Sequence, residues 1–148
     1  MWSVEHTAHA SASPEAVWQV WTDVAGWPRW NPTVKDVSLD GPFGEGRRGR
    51  LKPAKGPSAK VVLEDVRPAA GFVAVSGLPG ASMRVEHEVT RAPEGGSLVT
   101  ERAVVSGPLA GLWSLILRSQ LREDMAAGTE ATAREADEKG AAGRAPAG

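Results

Sequence analysis

With 148 residues, 17 Lys and Arg against 18 Asp and Glu, and a formal net charge of −1, the chain is the size of one ordinary domain and has no overall attraction for nucleic acid. It contains no cysteine, which excludes disulfides, thiolate metal sites and a cysteine nucleophile, and suits a cytoplasmic location. No integral membrane segment is expected, since no apolar run reaches the roughly 20 residues a spanning helix needs, and Met1-Trp2-Ser3-Val4-Glu5-His6 has neither the basic nor the apolar part of a signal peptide.

Residues 2 to 11 alternate, with Trp2, Val4, His6, Ala8 and Ala10 on one face of a first strand and Ser3, Glu5, Thr7 and His9 on the other. Ser13-Pro14-Glu15 then reads as a helix start, with serine at the cap, proline at the first helical position and an acid in the first turn. Trp18 and Trp21 stand three apart and share a face of that helix. Trp27 and Trp30 repeat the spacing in a second short helix, expected to be capped by Asp23 and stopped by Asn31-Pro32. Four of the six tryptophans thus fall in one short stretch of a chain without tyrosine.

From Thr33 to Ser106 short alternating apolar stretches are separated by Gly and Pro clusters, which predicts six more strands. The most regular sets Met83, Val85, His87 and Val89 against Arg84, Glu86, Glu88 and Thr90, a half-buried antiparallel strand with a charged outer face. In the last strand two registers are about equally apolar, one turning Glu101 inward and the other Arg102. Gly107-Pro108 opens a long helix from Leu109 to about Glu138, with Leu109, Leu112, Trp113, Ile116, Leu117, Leu121 and Met125 as its apolar stripe. Beyond Met125 it turns polar and alanine-rich, and this end is expected to project past the core. Residues 139–148, rich in Gly and Ala, are expected to form a disordered tail after a domain spanning 2–138.

The runs Ser13-Pro14-Glu15-Ala16-Val17-Trp18, Thr22-Asp23, Trp27-Pro28-Arg29-Trp30-Asn31-Pro32, Gly95-Gly96 and Ser106-Gly107-Pro108-Leu109 resemble the START-like superfamily, in particular its polyketide cyclase/dehydrase and lipid-transport branch. The resemblance implies an α+β helix-grip fold: a seven-stranded curved antiparallel sheet around a long C-terminal helix, with two short helices after strand 1. It also implies an elongated cavity between sheet and helix that takes a small hydrophobic molecule, such as a lipid, polyketide or aromatic metabolite, with no cofactor. Trp18, Trp27, Trp30, Met83, Val85, His87, Trp113, Ile116 and Leu117 are the candidate ligand-binding residues. A monomer or weak homodimer is expected.

Three readings of function stay open. A cavity lined only by apolar groups favours carriage. Convergent polar groups favour an enzyme of the cyclase or dehydratase type, with His87 and either Glu101 or Arg102 as acid and base. A filled interior favours an interaction module contacting partners through the exposed end of the last helix. His6 and His9 differ by three on a strand, so they point to opposite faces and do not chelate one ion. Arg47, Arg48, Arg50, Lys52, Lys55 and Lys60 occur with no acid between Gly46 and Leu63, a charged hairpin edge or a dock for an anionic group. No aromatic residue is interleaved with them, which disfavours nucleic acid.

Overall fold

A computed structural model describes residues 1–143. Strand β1 (Trp2–Ala10) leads to helix α1 (Pro14–Thr22), a 3₁₀ turn (Val24–Gly26) and the one-turn helix α2 (Trp27–Trp30). Six strands follow: β2 (Val34–Leu39), β3 (Arg48–Pro53), β4 (Ala59–Arg67), β5 (Gly71–Leu78), β6 (Ala81–Arg91) and β7 (Ser97–Ser106); helix α3 (Ala110–Gly143) ends the described chain. The strands form one antiparallel sheet in the order β1-β7-β6-β5-β4-β3-β2, so the α1–α2 excursion carries the chain from one edge of the sheet to the other. This is the expected α+β helix-grip architecture. α3 continues to Gly143, and residues 144–148, the rest of the expected tail, lie outside the described residues.

Local chemistry accounts for most of the element boundaries. The Ser13 hydroxyl accepts from the Ala16 N–H at 3.2 Å and Pro14 opens α1. Asp23 precedes the 3₁₀ turn but makes no side-chain cap there; its carboxylate lies 3.7 Å from Lys139 Nζ on α3, so the expected capping role gives way to a tertiary ion pair. Gly96 takes φ +76° at the β6–β7 turn, where an added Cβ would collide with the Ala10 carbonyl of β1, so only glycine lets the turn sit against that strand. On the convex face charges pair across strands, Arg102 Nη2 with Glu86 at 2.7 Å and Arg84 Nη1 with Glu64 at 3.0 Å.

The concave face carries two apolar clusters. One gathers Phe72, Trp21, Trp27, Val17, Val20, Val89 and Val99 against Ala133 and Ala136 of α3. The other gathers Trp2, Val4, Ala103 and Val105 against Ala110, Leu121 and Met125. Phe72 is the hub of the first: Trp18, Trp21, Trp27 and Phe43 all lie within 6.3 Å of it, centroid to centroid.

The long helix packs in the reverse of the expected sense. Its alanine-rich second half is buried, with Thr129, Ala131, Thr132, Ala133, Glu135 and Ala136 all shielded from solvent, and it packs on β1 and α1. The expected stripe divides. Leu117, Leu121 and Met125 face the sheet, whereas Leu109, Leu112 and Ile116 are turned largely to solvent. The physical reason is close approach: small side chains let a helix axis come near a neighbouring element, so an Ala-rich segment can make the tightest contact in a fold without large apolar residues. The Thr129 and Thr132 hydroxyls satisfy themselves on the Met125 and Gly128 carbonyls one turn back, so neither polar atom opposes burial.

This arrangement sets an expectation opposite to a stripe-based one. Ala136→Leu should overpack the α3 seat and lower stability by about 1–3 kcal/mol, while Leu112→Ala, within the expected stripe, should change it by no more than about 0.5 kcal/mol. Urea unfolding midpoints of the two variants check this.

Candidate functional site

Three titratable side chains form a row on the concave face. The β1–β7 ladder sets His6 opposite Glu101, and the β7–β6 ladder sets Glu101 opposite His87. Because side chains alternate, the inward neighbours of Glu101 are Val99 and Ala103, both sealed from solvent, and Arg102 points to the convex face with Glu86. The register that the sequence left open therefore places Glu101 inside. The row lies between the two apolar clusters: toward one end of the strands stand Ala10, Val89 and Val99, and toward the other Val4, Val85 and Ala103.

His87 is fixed by its surroundings. Its ring stacks on Phe72 at 4.1 Å between centroids and 7° between planes, and meets Trp21 edge-on at 5.6 Å. Nδ1 lies 3.1 Å from the Val85 carbonyl oxygen. A carbonyl only accepts, so Nδ1 holds the ring proton and Nε2 is left with a free lone pair. Burial drives the pKa down to about 4, partly opposed by backbone hydrogen bonds at Val85 and Phe72. Burial has the opposite effect on the Glu101 carboxyl, which it lifts to about 8 with added repulsion from Asp124. The side chains of His87 and Glu101 are 12% and 7% exposed, and His87 Nε2 faces Glu101 Oε1 at 3.8 Å, longer than a hydrogen bond. Near neutral pH the pair is thus a neutral acid facing a neutral base, not an ion pair.

Helix α3 makes room for this acid and extends the polar chain. An added Cβ at Gly128 would stand 2.9 and 3.1 Å from the two Glu101 carboxyl oxygens, so the missing side chain is what admits the carboxyl beneath the helix. One turn earlier, burial raises the Asp124 pKa against the lowering effect of a Gln120 hydrogen bond and of Lys55. Gln120 Nε2 donates to the Lys55 carbonyl at 3.3 Å, which ties the tip of the β3–β4 hairpin to α3. At the other end of the row, His6 Nδ1 lies 2.9 Å from Thr129 Oγ1 and Nε2 lies 3.8 Å from Glu130. His9 leaves on the opposite face toward Gly95 and Glu94.

The candidate ligand-binding residues fall into three groups. Trp18, Trp27 and Trp30 join the Phe72 cluster, Trp27 donating from Nε1 to the Trp21 carbonyl at 3.1 Å. Met83, Val85, Trp113 and Leu117 are half-buried against the second cluster, and Trp113 Nε1 donates to the Pro79 carbonyl at 2.8 Å. Ile116 stands apart, turned to solvent. Phe72, Asp124 and Gly128 were not singled out from the sequence; only Gly128 carries a local signal, a glycine inside a helix where it costs about 1 kcal/mol relative to alanine. A concavity of about 470 Å³ lies along the free edge of β1 beside the second half of α3, lined by Ala8, His9, Glu130, Arg134 and Asp137 among others. A second, of about 240 Å³, lies on the convex face at Glu5, Glu86, Glu88, Thr100 and Arg102. Neither is under the helix.

The model of the family described as polyketide cyclase/dehydrase and lipid transport matches residues 1–137. The chain belongs to that family. No curated protein matches its sequence. Among solved structures, the Zhui aromatase/cyclase from a Streptomyces species superposes with a TM-score of 0.72 at 21% identity, over 97% of this chain and 98% of that one. Norcoclaurine synthase from Thalictrum flavum, solved as a point mutant with a transition-state analogue, gives a TM-score of 0.71 at 14% identity, over 94% and 96%. The di-domain aromatase/cyclase StfQ of steffimycin biosynthesis gives 0.72 at 13% identity, and this family member spans 95% of itself but only 51% of that chain. At these identities the likeness is one of fold.

The buried pair has a pH signature. A raised Glu101 pKa stabilises the fold fully below the unfolded value of about 4.5, and that stability drains as pH rises toward about 8; the lowered His87 pKa works oppositely between about 6.5 and 4. The two slopes cancel between about pH 4.5 and 6.5, so the pair's contribution should fall from about pH 6.5 to 8, by at most about 1.4 kcal/mol per pH unit. Glu101→Gln should remove that decline, measured as urea stability across the range.

Proposed function

We propose that the domain binds a small hydrophobic carbonyl compound between the concave face and the first half of α3 and enolises it, the opening step of cyclase or dehydratase chemistry. The observation that carries this reading is the juxtaposition of Glu101 and His87: a buried carboxyl and a buried imidazole 3.8 Å apart, set between two apolar clusters, where burial favours the uncharged form of each. The raised carboxyl pKa lets Glu101 hold a proton at neutral pH, where an ordinary carboxyl is already ionised, and the neutral imidazole facing it can accept one. Access is consistent with the packing. Leu51, Ala74, Leu78, Met83 and Val85 point to the concave side yet are only half-buried, because α3 bears on β1 and β7 and leaves the middle of the sheet less covered. Trp113 and Leu117 face them from the helix.

The chemistry balances on these two groups. His87 Nε2 takes a proton from the carbon beside the carbonyl, and the Glu101 hydroxyl gives its proton to the carbonyl oxygen, leaving a neutral enol with imidazolium and carboxylate. When the enol carbon attacks a second carbonyl of the same molecule, the imidazolium protonates the new alkoxide. The carboxylate takes back the enol proton as the first carbonyl re-forms. Both groups return to their starting state, and Phe72, stacked on His87, holds the ring in place throughout.

The test is deuterium uptake at the α-carbon of an aryl 1,3-diketone in D₂O, followed by NMR, with binding measured separately by displacement of a hydrophobic fluorescent probe. The protein should speed exchange, and Glu101→Gln and His87→Gln should each reduce the acceleration by about 10²–10⁴-fold while probe binding persists. Binding without accelerated exchange would leave a carrier; neither binding nor exchange would move the weight to an interaction module.

A further inference from the structure

Apart from Met1, the most exposed large apolar side chains among the described residues cluster at the start of α3: Leu109, Leu112, Leu115 and Ile116 are 43, 53, 85 and 58% exposed. At about 100° per residue, Leu112, Leu115 and Ile116 share one arc roughly opposite Ala110 and Leu121, which face the sheet. They therefore point away from the interior site. A contiguous exposed apolar surface of this kind marks an interaction face.

Its flanks along the helix and at the hairpin are cationic, while Glu123, close to the helical angle of Ile116, closes its C-terminal end. No acid occurs between Arg102 and Glu123. On one side of the apolar arc helical spacing places Arg118 and Arg122, with Arg118 lying over the Trp2 ring at 5.2 Å. On the other side lies the β3–β4 hairpin tip with Lys55, held by Gln120, and Lys52, whose ammonium group folds onto the Gly56 carbonyl. The uncharged β5–β6 turn abuts the same end of the helix through the Trp113–Pro79 hydrogen bond. Arg50 and Lys60 pair across the hairpin register and alternate with Leu51 and Val61, so they contribute only from the convex side.

We propose that the first half of α3, with the β3–β4 hairpin tip, docks on an anionic lipid surface. Leu112, Leu115 and Ile116 would enter the headgroup boundary, and Lys55, Arg118 and Arg122 would meet lipid phosphates. Apolar side chains bordered by cations are the pattern that combines hydrophobic insertion with attraction to anionic headgroups. The same border disfavours a second copy of the chain as the occupant, since a two-fold contact would set these cations against their own equivalents. The attraction is local, because the chain as a whole carries a net charge of −1. The inference does not depend on the interior acid and base.

Co-sedimentation with phosphatidylcholine vesicles, with and without phosphatidylserine, tests it. The protein should pellet with the phosphatidylserine vesicles alone, less so as salt is raised. Leu112→Ser/Leu115→Ser/Ile116→Ser and Arg118→Gln/Arg122→Gln should each weaken partitioning about tenfold or more with circular-dichroism melting unchanged. Equal partitioning to both vesicle types, no partitioning at all, or full partitioning by the serine variant would overturn the proposal. So would a wild-type dimer that the serine variant makes monomeric.

Discussion

The close seating of the second half of α3 on β1 and α1 is the contact on which the rest of the structure depends. Ala131, Thr132, Ala133 and Ala136 bring the helix down onto β1 and α1, where larger side chains would hold it away. Polar groups anchor the same half: Asp137 Oδ1 accepts from the Ala12 N–H at 2.8 Å, and Glu135, itself buried, meets Arg29 of α2 at 3.4 Å. The helix is thereby clamped at one end, and its first half follows a straight path over a sheet that curves away. The half-buried state of Met83, Val85 and Leu78 and the exposed leucines on the opposite side of the helix both follow from that one geometry.

The same seat places Gly128 and Thr129 over the row formed by His6, Glu101 and His87. Burying a carboxylate beside apolar groups without a partner costs several kcal/mol, and the group avoids the cost by staying protonated. An imidazole sealed against Phe72 and Trp21 avoids it by staying neutral. Burial thus keeps a proton on Glu101 at a pH where an ordinary carboxyl is ionised, and holds His87 in the neutral form that an ordinary imidazole already favours above about pH 6.5. Removing the helix from the row would return both groups toward their usual ionisation, so fold stability and the state of the site are one equilibrium.

Much of this was legible in the sequence. The alternation in β1 and β6, the serine cap of α1 and the tryptophan spacing are local signals, and each depends on a period or a cap that survives without tertiary information. The inward position of His87 could be read from Met83, Val85 and Val89. The inward position of Glu101 could not, because Val99-Glu101-Ala103 and Leu98-Thr100-Arg102 are equally apolar and pairing with β1 and β6 decides between them. The misread half of α3 has a different cause. Hydrophobic periodicity rewards large side chains, whereas Ala131, Ala133 and Ala136 are buried because they are small, and a leucine stripe is outward where the fold leaves it nothing to pack on.

Asp124 is where the interior and the surface meet. It lies one turn before Gly128, half-buried, with the Glu101 carboxyl on its inner side and Gln120 and Lys55 on its outer side. Ionised, it adds to the repulsion that keeps Glu101 protonated; the nearby Lys55 favours its ionised form. The hairpin tip that holds Lys55 against α3 therefore acts on Glu101 through Asp124. Withdrawing Lys55 would raise Asp124 further, toward its neutral form, and lessen the repulsion on Glu101. The protonation of the buried acid in this way depends on the charge of its neighbour on the helix as well as on the depth at which the acid is buried.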